Sequence, residues 1–388
     1  MKKILVFMLA LSMMSIVIFT GCGSKDISDN TNEQDQTNND SKDNDSKDDD
    51  IKDEEPLKII LTLCGELGDK AFNDSSAHGL DLIKDKYGDK VDVKLVEMGF
   101  DEQKWEPGFL DAAESDADII ISGTWSMQKF AERYAPDYKD KTFILFDASP
   151  NYEEYDLPNV YSMLYKQNEA TFLAGALAAS VTSSDMALAN DENRIGFIGG
   201  MDIPVINDFL IGYIKGAQYI NADIKVSVSY VGSWTDTAKG KELALAQYNQ
   251  GTDIILNSAG QAGLGSVDAA KKVQKYTIGG GADQEQIFKE IDPEKAELIT
   301  TSVIKDVDIS LLRAIDQYFE GTLKFNETET LGLKEGCVSI ATPNKIVNQD
   351  IVDKIDEIKS KIANGEIEVP SVYGMTTEQI DQLKNAVK

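Results

Sequence analysis

Short, continuous apolar runs alternate with stretches of helical period from Leu57 to about residue 282, and this alternation limits the possible folds more than any other feature. Runs such as "LKIILTL", "DIIISG", "TFILFDAS", "NVYSMLY", "RIGFIGG" and "DIILNSAG" lack the in-out alternation of a half-exposed strand. They read as strands buried on both faces, with "VDVKLVEMG", "KVSVSYVG" and "YTIGGGA" completing the set. Between them lie "DSSAHGLDLIKDKYG", "EPGFLDAAESD", "SMQKFAERYAPDY", "NEATFLAGALAASV", "NDFLIGYIKGAQYI", "TAKGKELALAQYNQG" and "GSVDAAKKVQ", whose apolar residues recur at helical spacing. Strands and helices in alternation build parallel sheets covered on both faces, and the period restarts after residue 166. The pattern predicts two doubly wound α/β lobes in series, and the length from Leu57 to Lys388 suits two domains of ordinary size.

The residues upstream belong to neither lobe. Lys2 and Lys3 precede an apolar stretch from Ile4 to Ile18, followed by "FTGCGS". This is the pattern of an export signal, since about fifteen apolar residues fall short of the roughly twenty that a bilayer span needs. Phe19-Thr20-Gly21-Cys22 resembles a bacterial lipobox, whose Cys is lipidated and becomes the new amino terminus. Phe19 departs from the usual Leu there, and an ordinary signal peptide with an unrelated Cys is the alternative. Between Asp26 and Glu55 stand 13 Asp or Glu and 3 Lys, so this tract carries −10 of the chain's net −29. Such a tract cannot recover its ordering entropy by burial, which predicts a disordered tether extended by self-repulsion. The negative charge also excludes nucleic acid as an expected partner, because phosphates would be repelled.

Cysteine and histidine usage narrows the chemistry further. With Cys22 assigned to lipid, Cys64 and Cys337 remain, and neither has a His or Cys close enough in sequence to suggest zinc. The single His78 excludes a His-rich metal site and leaves a Ser-His-Asp triad without support. No pair of carboxylates is singled out by spacing, as a glycosidase would require. The chain is therefore read as a non-enzyme, with no catalytic residues, no metal and no cofactor expected.

In open parallel sheets a ligand sits beyond the carboxyl ends of the strands. In the first lobe those positions hold Gly65 through Asn73, Ser122-Gly123-Thr124 and Asp147-Ala148-Ser149. In the second they hold Gly199-Gly200-Met201, Ser233-Trp234, Ser258-Ala259-Gly260 and Gly279 through Asp283. Gly and Ser let a ligand approach the backbone, while the interspersed Asp and aromatic residues can read it, which suits a cleft between two lobes. Within "GELGDKAFNDSSAHGL", Phe72 is either a staple for the helix that follows or a platform held up to a ligand. Asn73 and Asp74 are either ligand contacts or caps of that helix, with capping expected of Asp74.

"GDKAFNDSSAHGL", "NVYSMLYKQNEATFLAGALAA", "RIGFIGGMDIPVINDFLIGYIKGAQ", "YVGSWTDTAKGKELALAQYNQGTDIILNSAGQAGLGSVDAAKK" and "LITTSVIKDVD" resemble, in this order, the basic membrane protein family of substrate-binding lipoproteins. The resemblance runs from about Lys58 to Pro370. It implies a type I periplasmic-binding-protein fold, with two doubly wound lobes joined by a three-crossover hinge, a nucleoside held between them, and delivery to the permease of an ABC transporter. It also implies an extracytoplasmic, membrane-anchored monomer. The expected organisation is a signal peptide over 1–21, a lipidated acidic tether over 22–56, an N-terminal lobe of 57–166 plus about 303–334, and a C-terminal lobe of 167–302 plus about 335–388.

Carried over to this chain, the resemblance implies that Phe72 stacks on the nucleobase, with Asn73 beside it for a sugar or base edge. It places Asp147 against the base, where a carboxylate would favour purine donors, and Lys305 near a ribose hydroxyl and a cleft carboxylate. Phe209 and Trp234 are both candidates for the second face of the base, and Gly260 lies at the same cleft. Where family members read "GVDSDQ" this chain has "GGGADQ", so Gly281 replaces the first Asp and Asp283 keeps the second. Either Asp283 takes over the ribose contact or the ligand differs. A sugar-binding protein of the same fold, with Trp105, Trp125 and Trp234 as stacking faces, and a surface signalling or adhesion lipoprotein remain alternatives.

Overall fold

The computed structural model describes residues 55–387, so the signal segment, Cys22 and nearly all of the acidic tract lie outside the described residues. The chain opens with β1 (Leu57–Leu63), α1 (Phe72–Tyr87), β2 (Val91–Glu97), α2 (Trp105–Glu114), β3 (Ile119–Gly123), α3 (Trp125–Tyr134), β4 (Thr142–Phe146) and β5 (Val160–Tyr165). It continues with α4 (Gln167–Thr182), β6 (Arg194–Gly199), α5 (Pro204–Ile220), β7 (Lys225–Tyr230), α6 (Thr237–Asn249), β8 (Ile254–Ser258), α7 (Leu264–Val273) and β9 (Tyr276–Gly281). Then follow α8 (Gln284–Ile291), α9 (Pro293–Ala296), β10 (Ile299–Lys305), α10 (Val307–Glu320), β11 (Glu327–Leu331), β12 (Val338–Ile340), α11 (Gln349–Ala363) and α12 (Thr377–Asn385).

These strands form two six-stranded sheets, ordered β11-β5-β4-β3-β1-β2 and β12-β10-β9-β8-β6-β7. Every pairing in the first is parallel, as in Ile59 with Ile119 and Ile121 with Ile144. The second is parallel too, except that β12 runs antiparallel to β10. The continuous apolar runs are explained by this placement: β3 is buried at every position, because helices cover both sides of its sheet. In each sheet the chain winds one way and then the other, so β1 and β3, and likewise β6 and β8, flank a switch point where a crevice must open.

The chain passes between the sheets three times, after β5, after β10 and after β11. The second passage falls at Asp306 rather than at about residue 303. Val303, Ile304 and Lys305 stay in the second sheet because β12 pairs with them on the free edge of β10. The first passage leads into α4, which is buried nearly all round and crosses α5 at backbone contact. At that crossing a Cβ on Gly216 would stand 1.8 Å from the Phe172 carbonyl oxygen, so the two helices are locked in one register. Asp208 on α5 ties the same region together by accepting from Gln167 Nε2 at 2.7 Å, Ser371 Oγ at 2.6 Å and the Val372 N–H at 3.0 Å. Burial pushes the Asp208 carboxyl above its usual range, and these three donors oppose the shift. Among the described residues no helix is long and apolar enough to cross a membrane.

Candidate ligand-binding cleft

Residues following β1, β3 and β4 of the first lobe, together with residues from the ends of β6 through β10 of the second, line one cavity of about 430 Å³. Phe72, Asn73, Asp147, Phe209, Trp234, Gly260 and Lys305 are all brought to it. Asp283 is not among the lining residues; it sits at the start of α8, where its Oδ1 accepts from the Gln286 N–H at 3.2 Å. The structure thus brings Asp283 not to the cavity lining but to the start of α8, where it caps an amide that would otherwise lack a partner.

The turn that carries Phe72 is built on two carboxylates. Asp69 accepts from the N–H groups of Ala71 and Asn73, each at 2.9 Å, and of Asp74 at 3.2 Å. Asp74 faces backward instead, accepting from the Gly68 N–H at 2.7 Å and the Lys70 N–H at 2.9 Å. Asp69 thus serves the amino end of α1, and the capping expected of Asp74 is corrected to bracing the turn. Burial raises the Asp69 carboxyl above its usual range, against the pull of those backbone donors. The braced turn holds Phe72 half-buried on the cavity wall, its ring 5.4 Å from that of Phe146. Asn73 is buried beside it and donates from Nδ2 to the Glu66 carbonyl at 3.1 Å.

At the floor of the cleft an ion pair joins the lobes. Lys305, the last residue of β10, places Nζ 3.0 and 3.1 Å from the two carboxylate oxygens of Asp147, which follows β4. Both side chains are buried, at 6% and 12% exposure, so this pair has little water to screen it. The ammonium also lies 5.6 Å from the ring centre of Phe72, 5.0 Å from Tyr165 and 5.3 Å from Phe209. A cation enclosed by three rings and one carboxylate organises an aromatic pocket around a single polar point. A flat heterocycle with hydrogen-bonding edges matches that arrangement.

Phe100, not singled out from the sequence, joins the lining, and Trp125, named there as a stacking face for a sugar, leads α3 with 63% exposure. Trp105 lines the cavity too, but its indole N–H is committed to the Gly99 carbonyl at 2.8 Å. Thr124 and Asp147 both have left-handed backbone, with φ of +79° and +55°. A β-branched Thr there is an outlier, and no local pattern announces it. Cys64 is half-buried in the cavity wall while Cys337 is fully buried in the core; both are free, and burial pushes each thiol up to about 12. His78 is exposed on α1, with Nδ1 2.8 Å from Asp308 of α10.

Residues 57–372 match the family model described as ABC transporter substrate-binding protein PnrA-like. Basic membrane protein A of Borreliella burgdorferi is 32% identical over 323 residues, covering 81% of this chain and 88% of that protein. The ABC transporter nucleoside-binding protein BmpA of Lactococcus lactis subsp. cremoris is 28% identical over 387 residues, covering 96% of this chain and all of its own length. Among solved structures, a solute-binding protein of an ABC transporter system from Aeropyrum pernix K1 superposes with a TM-score of 0.73 at 28% identity, covering 85% of this chain and 98% of that one. The two α/β lobes and the cleft between them are those of the periplasmic-binding-protein fold. From the match over nearly all of its described residues, the chain belongs to the PnrA-like family of ABC transporter substrate-binding proteins.

Proposed function

We propose that the protein binds a nucleoside, a purine by preference, between its lobes and delivers it as a monomer to an ABC permease. In this reading it is an extracytoplasmic lipoprotein, held to the membrane through Cys22 and kept at a distance by the acidic tract. The observation that carries the ligand assignment is the Asp147–Lys305 pair lining the cavity beside the rings of Phe72 and Phe209, with the buried Tyr165 ring near the same ammonium. Phe72 supplies a stacking face, worth on the order of 1–3 kcal/mol per base. Asp147 accepts from ring N–H or amino groups, and Lys305 donates to a carbonyl, so the pair complements the mixed donor and acceptor edge of a purine such as hypoxanthine or guanine. The nucleoside-binding name of the Lactococcus relative supports the same class.

A thermal-shift screen of purine nucleosides, pyrimidine nucleosides and monosaccharides tests this reading. The true ligand stabilises the folded state by about 2.7 kcal/mol at a hundredfold excess over Kd, and Phe72→Ala removes most of that gain. Stabilisation by a monosaccharide with silence from every nucleoside would transfer the function to sugar uptake, with Trp125 as the stacking face. For the anchor, Cys22→Ala is expected to shift the protein out of the detergent phase, and equal partition of variant and wild type would refute lipidation.

A further inference from the structure

Two hydroxyls in the cavity wall are buried without a partner among the described residues, Thr124 Oγ1 and Ser258 Oγ. They hold matching places in the two lobes. Thr124 directly follows β3 and Ser258 ends β8, each the fourth strand of its sheet and each beside the switch point, where ligands collect in folds of this kind. Thr124 is also kept at φ +79° and ψ +152°, a region that suits glycine, and strain of this sort gathers at ligand clamps. Its hydroxyl lies close enough to the Cys64 thiol to oppose the rise that burial gives it, but sulfur is a weak partner and that thiol turns to the Gly123 carbonyl at 3.7 Å.

Strand register relates both hydroxyls to the ion pair. Gly123 pairs with Phe146, and the Thr124 N–H donates to the Phe146 carbonyl at 2.9 Å, so Thr124 is level with Asp147 on the neighbouring strand. Adjacent strands lie about 4.8 Å apart, which puts Thr124 one step from the carboxylate on the side of the switch point. In the second sheet β8 is two strands from β10, and Ser258 falls level with Gly280 and Val303, so it stands roughly 10 Å to the side of Lys305 and deeper in the cleft. A ligand that sets one edge on the ion pair and extends toward the switch points passes both hydroxyls. Each turns on a single side-chain bond, and turning it into the cavity breaks no hydrogen bond. A hydroxyl both donates and accepts, so it can meet another hydroxyl without a charge.

We propose that Thr124 and Ser258 are specificity-determining residues of the cleft, one from each lobe, whose hydroxyls bond the ribose hydroxyls of the bound nucleoside. The inference rests on the nucleoside reading above and adds the groups that read the sugar, since with the base edge on Asp147 and Lys305 the ribose is the part that reaches them. Binding then satisfies a polar group in each lobe that the empty protein leaves unpaired, which favours the closed state. Calorimetry and chemical denaturation test it on Thr124→Val and Ser258→Ala, using inosine, guanosine or adenosine, whichever gives the largest thermal shift, beside its free base. Each variant is expected to weaken the nucleoside by roughly three- to tenfold, the share of one neutral hydrogen bond, and to leave the free base within about twofold of wild type. The empty variants should be at least as stable as wild type, because a buried hydroxyl without a partner has been removed. Thr124→Ser, which keeps the hydroxyl, should bind as wild type does. Lower stability of the empty variants would make both hydroxyls structural and overturn the inference. Unchanged nucleoside affinity, or equal loss of nucleoside and base, would overturn it too, and either leaves the nucleoside reading intact. Silence of the wild type toward every nucleoside would overturn that reading and this inference with it.

Discussion

The two lobes present opposite kinds of surface to the cleft. The first offers side chains on backbone that resists them: Thr124 at φ +79° and Asp147 at φ +55° both line the cavity, and Lys70 at φ +52° lies in the turn before Phe72. The second offers glycines where the backbone needs them, at Gly232, Gly260 and Gly281, with φ of +77°, +56° and +95°. Strain kept in a folded protein gathers where a side chain is required at an awkward place, and among the cavity-lining residues that place is the first lobe. In the function proposed above, the first lobe reads the ligand and the second shapes the space and closes it. Lys305 is the exception, the one charged side chain that the second lobe contributes to the cavity lining among the described residues.

The largest test of this division removes the link between the lobes. Asp147→Ala leaves Lys305 buried without its partner, and breaking such a pair costs about 3–5 kcal/mol. Chemical denaturation is expected to show that loss, and ligand-induced stabilisation should vanish with it. The double variant Asp147→Asn, Lys305→Met should regain stability without regaining binding, because no charge is then stranded. A single Asp147→Ala with wild-type stability would show that the pair is solvated and that the lobes are not coupled through it.

Gly281→Asp tests the shaping role. It restores the residue that the family resemblance places there, yet φ of +95° and a Cβ 2.4 Å from Ala71 Cβ leave no space for it. Overpacking of this kind costs about 1–3 kcal/mol, and since the clash lies between lobes it should fall on closure rather than on the fold. Small-angle scattering is expected to show a larger molecule in the presence of ligand, with unchanged unfolding of each lobe. An unaltered radius and undiminished affinity would place the point of closure elsewhere.

The smallest effect has the opposite sign. Thr124, with φ of +79° and ψ of +152°, occupies a region reserved almost wholly for glycine. Thr124→Gly relieves roughly 1–3 kcal/mol of strain and gives back 0.5–1 kcal/mol of that, roughly, in chain entropy, so a net gain of about 1 kcal/mol is expected. Denaturation of the unliganded protein measures it. A loss of stability instead would mean that the Thr124 side chain holds the strand end in place, and the contrast between lobes would weaken.

Local periodicity was enough to read the elements. "LKIILTL" is β1 residue for residue, and "DIIISG", "NVYSMLY" and "RIGFIGG" each fall on a strand, because a buried parallel strand requires continuous apolar side chains wherever it lies. The turns after the strands are legible as well, so Phe72 and Asp147 stand out at strand ends, while Lys305 is nominated by the family resemblance of "TSVIKDVD". What sequence could not supply was which of these groups meet. Asp147 and Lys305 stand 158 positions apart and become partners because β4 and β10 belong to facing sheets. Asp283 was expected in the cleft on the strength of its neighbours, but α8 begins there and its first-turn amide takes the carboxylate. Gly281 stands where the family resemblance places an Asp, and only the structure shows Ala71 against it across the cleft. Residues a few positions apart determine helix and strand, since hydrogen-bond ladders and side-chain periods are short-ranged. The contents of the cleft were decided by the closing of one lobe on the other, a distance that no local pattern encodes.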